Sequence, residues 1–568
     1  MKKENNPFLK IEKITLTVIL LISFFLRIYQ LEKVPTGFLW DEAALGYNGY
    51  SILKTSRDEY GKLLPVVFKS FGDYKPGFYI YLTVLPIAVF GLNQFSVRLP
   101  SAIAGGLTVL ALFFLVKKSF ELFNPQSKKT AGLLALLSSA LLAINPWHIN
   151  FSRGSWELNV MFFELTAAVC FLIYFLSDKK RRYLLFSAIM FVLCLFTYQA
   201  AKFLVPVLLF GFILFFRQQI KKINAKEIKL FLLPVITAFV VINLITFFGG
   251  KAGRIKIMSV FSYPRSKEEA QIILNQDSGN KIDYTFFHGK YLYHLRSVLE
   301  RYFNHISAKF LFFDGDWSSP RNFILYHGVF YVIDAVFIFI GIFCLFIKKR
   351  NPFENFILFW LIISPLPSAL TRDSISSVRS YNMLLPLIYL SSFGLYSFFS
   401  YIKKIKIILI TCLIFVVSAY LFLFIRFIDL YVVHNPVVNA KGRLYGYKQM
   451  VEESKKYTKG KNRIIITTKY GQPYIFYLFY TKYDPAKYHK QANLKEDPYG
   501  DVGSVEKIDN IEFRSIYWPV DRGLANSLFI GDEFDLPIVD IVGQKGITFL
   551  KEINYPDGKT AFRIVETQ

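Results

Sequence analysis

Cysteine and histidine are rare in this chain, and neither is grouped. Its 568 residues include 4 Cys and 7 His. Cys170, Cys194, Cys344 and Cys412 all fall inside apolar blocks with no metal-ligand spacing. That excludes a zinc module and a disulfide framework. His148 and His305 stand alone and read as structural, so no metal is assigned to them. Internal repeats and low-complexity segments are missing as well, which counts against repeat architectures and against transporters built from inverted repeats. The first apolar block, Ile14 to Leu31, has no small-residue cleavage site and is too long for a signal-peptide core. It reads as a retained span.

Apolar residues are abundant: 53% of the chain is hydrophobic and 18% aromatic. They come in long blocks, the pattern of a multi-span helical membrane protein. Acidic residues number 41 against 67 basic ones, for a net charge of +26. Such an excess can signal nucleic-acid binding. Here the basic residues cluster in short loops between apolar blocks, as membrane topology requires, and nucleic acid is excluded as a partner.

Eleven spans are expected, near 12–31, 97–116, 131–149, 158–176, 183–198, 201–216, 229–248, 323–347, 355–371, 380–400 and 405–427. With the N-terminus cytoplasmic, this count puts every basic cluster inside: Lys2-Lys3, Lys117-Lys118 with Lys128-Lys129, Lys179-Lys180-Arg181-Arg182, Lys221-Lys222, Lys348-Lys349-Arg350, and Lys403-Lys404 with Lys406. Segments 32–96, 150–157, 249–322 and 372–379 then lie outside, along with everything after about 428. The block Phe78 to Phe90 is shorter than the roughly 20 residues a span needs. It reads as a helix in the outer interface held by Tyr79 and Tyr81, with a second such helix from Asp41 to about Thr55. The chain divides into a transmembrane domain, 1–428, and an extracytoplasmic α/β domain, 429–568. In the latter, helices are expected at Tyr445–Tyr457 and Tyr474–Tyr480. Strands are expected at Arg463–Lys469, Glu512–Trp518, Ser527–Ile530, Thr548–Lys551 and Ala561–Val565.

Polar residues gather on the outer side: Asp41, Glu42, Asp73, Lys75, Arg153, Glu157, Tyr198, Gln199, Arg372, Asp373 and Arg379. Several sit at span edges, as expected of a cavity for a substrate with an anionic head and a lipid tail. Each also has a plainer reading. Asp41 is a candidate N-cap of the interfacial helix, with Glu42 complementing its dipole. It is equally a candidate base, since a carboxylate beside another in a dry cleft has a raised pKa and takes a hydroxyl proton. The two readings are compatible. Lys75 is either a snorkelling lysine or a lipid-phosphate contact. Arg153 and Glu157 are four apart; they pair on a short helix, or Arg153 holds a phosphate and Glu157 a sugar hydroxyl or the acceptor. Arg379, opening a span, is an anchor or a phosphate ligand.

Several motifs together resemble one family. They are the Asp41-Glu42 pair after the first span, Lys75-Pro76 before an aromatic interfacial helix, Arg98-Leu99-Pro100-Ser101 opening the second span, and Asn145-Pro146 ending the third. Thr197-Tyr198-Gln199-Ala200-Ala201 and the segment Pro365–Arg379 fit as well. The set is similar to the GT-C fold polytopic glycosyltransferases, in particular the protein O-mannosyltransferases and bacterial aminoarabinose transferases, over roughly residues 12–400. The resemblance implies transfer of a sugar from a polyprenyl-phosphate donor to an acceptor hydroxyl on a glycan, lipid or protein at the outer face of the cell membrane. It implies Asp41 as base, Glu157 in the place of a second acidic residue, and Lys75 at the lipid phosphate; Glu42 joins the catalytic candidates as support for Asp41. Arg153 and Arg379 join Lys75 as donor-phosphate candidates, and Tyr198, Gln199 and Asp73 are substrate-binding candidates. No cofactor or metal requirement is expected, because fixed cations can hold the leaving phosphate. The family often has a second proline after Lys-Pro, where this chain has Gly77, and Glu157 replaces a commoner aspartate. The alternative activity, a lipid-glycan flippase, would place polar or broken helices near the bilayer midplane.

Overall fold

The computed structural model describes residues 7–248, 258–277, 279–322, 324–496 and 502–568. The Lys2-Lys3 cluster, positions 249–257 and 278 of the long loop expected on the outer side, and position 323 at the head of the eighth block lie outside them. Each of the eleven apolar blocks carries a helix. Among the described residues five helices are long and apolar enough to cross a membrane, at Gln94–Phe123, Glu157–Asp178, Ala225–Phe247, Tyr381–Ile402 and Lys406–Val438. A sixth candidate is the pair Lys128–Ile144 and Pro146–Ser152, bent by 59°. The bend follows from sequence: Asn145 is extended (φ −64°, ψ 130°), its Oδ1 accepts from the His148 amide at 3.0 Å, and Pro146 opens the next helix. The eighth helix begins at Val332, nine residues later than the expected block. Asp334 sets the start by accepting from the Tyr331 amide at 3.2 Å.

The chain forms two compact units. One comprises residues 1–23, 106–149 and 161–427, and holds most of the apolar helices. Within it Val332–Ile347 and Leu384–Ile402 approach at two glycines: a Cβ on Gly394 would fall 1.9 Å from the Phe337 carbonyl oxygen, and one on Gly341 2.2 Å from that of Leu390. Small residues at such crossings let helix backbones pack closely in lipid.

The other unit comprises 24–105, 150–160 and 428–568. The chain passes between the units at 427/428, and the unit that holds the tail also takes in residues 24–105 and 150–160, so the loop after the first helix packs with the tail. Packing chemistry explains why. The helix Trp40–Thr55 has Gly46 and Gly49 on its surface, and a Cβ at either would collide with Phe479 or Val97, and with Thr83, respectively. Phe38 packs against Phe479 with ring centres 4.9 Å apart and planes tilted by 42°. The helix Phe78–Phe90 forms as expected. However, Tyr79 is buried and donates to the Val97 carbonyl at 2.9 Å, so it is a packing residue rather than an interface anchor. Tyr81 donates to the Pro65 carbonyl at 2.9 Å.

The tail has both expected helices and four of the five expected strands; in place of the strand expected over Glu512–Trp518, Ile511–Phe513 is a short strand and Trp518 opens a helix, Trp518–Asp521. Helices run over Tyr447–Ser454 and Pro473–Thr481. A six-stranded sheet has the spatial order Lys507–Ile508, Ile511–Phe513, Arg463–Ile466, Ser527–Gly531, Thr560–Thr567, Ile547–Asn554. Arg463–Ile466 is parallel to both its neighbours; the remaining pairings are antiparallel. Its core includes Ile465, Trp518, Phe529 and Val565.

Candidate functional site

The site is built on a helix start and a hairpin. The helix begins at Trp40, with Leu39 extended at the N-cap (φ −76°, ψ 152°). This corrects the expectation that Asp41 caps it. Asp41 and Glu42 both lie in the first turn, and the capping carboxylate is Glu42, whose Oε2 accepts from the Leu39 amide at 3.1 Å. The hairpin Val67–Ser70 with Asp73–Pro76 was not foreseen. Its two-residue turn, Phe71-Gly72, has both residues at positive φ (53° and 91°), the geometry that matches strand twist. The register sets Lys75 opposite Phe68.

Lys75 reaches from this hairpin to Asp41, and the two form an ion pair. Both remain in contact with solvent, Asp41 at 35% and Lys75 at 19% side-chain exposure. Glu157, half-buried as the first residue of its helix, lies within electrostatic reach of both. Asp73 is buried at the base of the turn, paired across the hairpin with Ser70.

Glu42 is placed differently from its neighbour. It is buried and accepts five hydrogen bonds: Arg98 Nε at 2.9 Å, Arg98 NH2 at 3.2 Å, the Ser155 amide at 3.0 Å, Ser155 Oγ at 3.2 Å, and Leu39 N. Burial pushes its carboxyl up, but the Arg98 charge and hydrogen bonds outweigh that and hold it below the ordinary range. Arg98 also donates to the carbonyls of Leu31, Pro35 and Gly37 at 3.1, 3.1 and 2.7 Å. The pair thus ties the loop after the first helix, the helix Trp40–Thr55 and the turn at Ser155 into one frame. Sequence reasoning noticed Arg98 as a motif member and missed it as a site residue.

Arg153 is 5% exposed, and its guanidinium donates to the carbonyls of Leu26, Tyr29 and Val34 at 2.5, 2.7 and 2.9 Å. It does not pair with Glu157: the Arg153–Trp156 stretch separates two helices, Pro146–Ser152 and Glu157–Asp178. The expected four-residue spacing on one helix is therefore absent.

Tyr198, Gln199 and Arg379 belong to the other compact unit. Tyr198 is the extended C-cap of Arg181–Thr197, followed by exposed Gln199. Arg379 pairs with Asp373 and donates to Thr371 Oγ1 at 3.1 Å. Its segment is fixed from below: Asp316 accepts from Ser377 N and Oγ at 2.8 and 2.7 Å, and His305 Nε2 from Ser376 N at 3.0 Å. His305 is structural, as expected, and burial pushes its pKa down to about 4.

Gly77, where the chain departs from the resembled pattern, is explained locally. Its amide donates to the Val66 carbonyl at 3.0 Å, and a Cβ there would meet the Phe68 ring at 2.4 Å. Proline satisfies neither condition.

Comparison with known proteins fits this architecture. Residues 74–245 match the family model described as dolichyl-phosphate-mannose-protein mannosyltransferase. Among solved structures, ArnT from Cupriavidus metallidurans superposes in its apo state with a TM-score of 0.53 at 10% identity, covering 97% of both chains. The same protein bound to undecaprenyl phosphate gives 0.51, again at 10% identity and 97% coverage of each. The chain has the GT-C glycosyltransferase fold. No curated protein matches it in sequence. Within the GT-C frame the family match contains Lys75, Arg98, Arg153, Glu157, Tyr198 and Gln199, whereas Asp41, Glu42 and Arg379 fall outside the matched residues.

Proposed function

We propose that this protein is a membrane glycosyltransferase that moves a sugar from a polyprenyl-phosphate donor to an acceptor hydroxyl at the outer face of the cell membrane, with inversion. The observation that carries the reading is the part-exposed Asp41–Lys75 ion pair, set beside Glu157 on a rigid frame. Asp41 takes the acceptor hydroxyl proton as the acceptor oxygen bonds to the anomeric carbon. The bond from that carbon to the phosphate oxygen breaks, and the phosphate leaves with the electron pair, its charge met by Lys75. In this reading Glu157 and Asp73 contact sugar or acceptor; Arg379 as a phosphate ligand and Tyr198 and Gln199 as substrate contacts are candidates of the other compact unit. Glu42 and Arg153 act as positioning residues, because their hydrogen bonds are already committed to protein. The eleven-span topology, with cytoplasmic N-terminus and outer tail, belongs to the same proposal; the charge pattern of the loops supports it.

The test uses purified protein with a panel of polyprenyl-phosphate sugars. Asp41→Asn should abolish transfer yet keep donor binding, and Lys75→Ala should weaken donor binding. Wild-type turnover by Asp41→Asn would sink the assignment.

A further inference from the structure

The central strand of the tail, Arg463–Ile466, has parallel partners on both sides. The chain leaves it, returns as Ile511–Phe513 on one flank, then crosses to Ser527–Gly531 on the other. A strand whose chain goes first to one flank and then crosses to the other marks a topological switch point, here at the carboxyl ends of Arg463–Ile466 and Ser527–Gly531. Open α/β sheets bind ligands at such a switch point.

The residues there are set for contact with a ligand. Across the two strand ends, Lys469 Nζ meets Asp532 Oδ2 at 2.6 Å, and the Tyr470 hydroxyl donates to the same oxygen at 2.6 Å. Asp532 Oδ1 accepts from the amides of Phe534 and Asp535 at 2.9 and 2.8 Å. The turn so fixed holds Phe534 outward at 75% exposure, with Lys469 over its ring at 4.7 Å. Glu533 is exposed and Asp535 half-buried beside it. Lys441 lies over the Tyr470 ring at 5.3 Å. Asp532, Glu533 and Asp535 face Lys469 and Lys441, and Arg563, paired with Glu552, donates to the Glu533 and Leu536 carbonyls at 3.4 and 2.9 Å; the balance is one negative charge, which disfavours phosphates and other anions. An exposed ring next to the exposed Glu533 carboxylate suits a sugar: C–H faces lie on the ring and hydroxyls donate to that carboxylate. The edge also adjoins the candidate base. The Trp40 ring packs on Gly471, where a Cβ would come within 2.3 Å of it, and Asp41 follows Trp40 by one peptide step of about 3.8 Å.

We propose that this carboxyl edge of the tail sheet binds a neutral or amino-bearing glycan, and that the glycan is the acceptor of the transfer reaction. The identity as acceptor rests on the proposed function; the binding itself does not.

Calorimetry on the full-length protein in detergent, titrated with chitopentaose, mannopentaose and maltopentaose, tests the binding. At least one should bind, and Phe534→Ala should weaken it about tenfold, with Glu533→Gln acting in the same direction. Both side chains are exposed, so neither change disturbs the core. No binding by any of the three, or binding that survives both substitutions, overturns the proposal. Asp41→Asn should leave the isotherm unchanged. If that variant still transfers sugar while the isotherm depends on Phe534, the proposed function falls and the glycan site stands.

Discussion

Arg98 grips both oxygens of Glu42, Nε to Oε1 at 2.9 Å and NH2 to Oε2 at 3.2 Å, with both side chains buried. Asp41, one residue earlier, has the opposite situation: a half-open ion pair with Lys75. Adjacent acids on one helical turn therefore divide the work. One pins three chain segments together, and the other stays open to solvent.

Removing Arg98 should cost stability before it costs chemistry. Arg98→Ala leaves a buried carboxylate uncompensated, which is expected to cost about 3–5 kcal/mol. Arg98→Lys should recover little, because an ammonium cannot span both carboxylate oxygens and three carbonyls. Thermal unfolding in detergent measures both variants. A melting temperature near wild type for Arg98→Ala would show that the frame does not depend on the pair.

Arg153 should behave as a structural residue. Its hydrogen bonds go to the carbonyls of Leu26, Tyr29 and Val34. Arg153→Lys is expected to lose roughly 1.5–3 kcal/mol of stability while leaving the donor KM unchanged at permissive temperature. The reverse pattern, unchanged stability and a raised donor KM, would return it to the role of phosphate ligand.

Gly77→Pro should unfold the hairpin locally. It removes the hydrogen bond to Val66 and drives a Cβ into Phe68. One lost hydrogen bond plus overpacking predicts about 2–4 kcal/mol of destabilisation. Because Lys75 is two residues away, donor affinity should fall with it. Melting curves and donor binding are to be read together, and a stable variant with wild-type affinity contradicts the account.

Stability should rise as the pH falls from 8 towards 5. Glu59 is buried, with Oε1 accepting from Asn48 Nδ2 at 3.1 Å; burial pushes its pKa up to about 8, and the Asp58 charge adds to that. A folded pKa above the unfolded one means that its contribution is fully present below the ordinary 4.5 and is lost as the pH rises through about 8. The slope is at most about 1.4 kcal/mol per pH unit. Glu42 acts in the other direction. Its lowered pKa makes its contribution present above 4.5 and lost as the pH falls through the folded value. Together they predict a melting temperature that peaks in the mildly acidic range, with Glu59→Gln flattening the alkaline side. A wild-type curve level from pH 5 to 8 would refute the assignment to Glu59.

The apolar blocks made the helices legible, since length and charge placement are local properties of sequence. The tail strands were legible from β-branched runs such as Ile464-Ile465-Ile466. Partnership was not. Arg98 lies 56 positions from Glu42, and nothing local marks the bond. Arg153 reads on paper like any outward arginine, because carbonyl acceptors are invisible to residue type. The Phe71-Gly72 turn was readable only in Gly72, as a phenylalanine seldom adopts positive φ.

The compact unit holding the site is assembled from three separated stretches, 24–105, 150–160 and 428–568. The surface of Trp40–Thr55 that Phe479 covers is made early, and its cover more than four hundred residues later. At typical synthesis rates of 5–20 residues per second the wait is roughly 20–80 s. During that interval the loop carries bare apolar surface outside the spans, with the spans between still being inserted. A chain truncated after the last membrane helix would stay in that unfinished state, and the expected consequence is its clearance by quality-control proteases rather than its survival as a smaller enzyme.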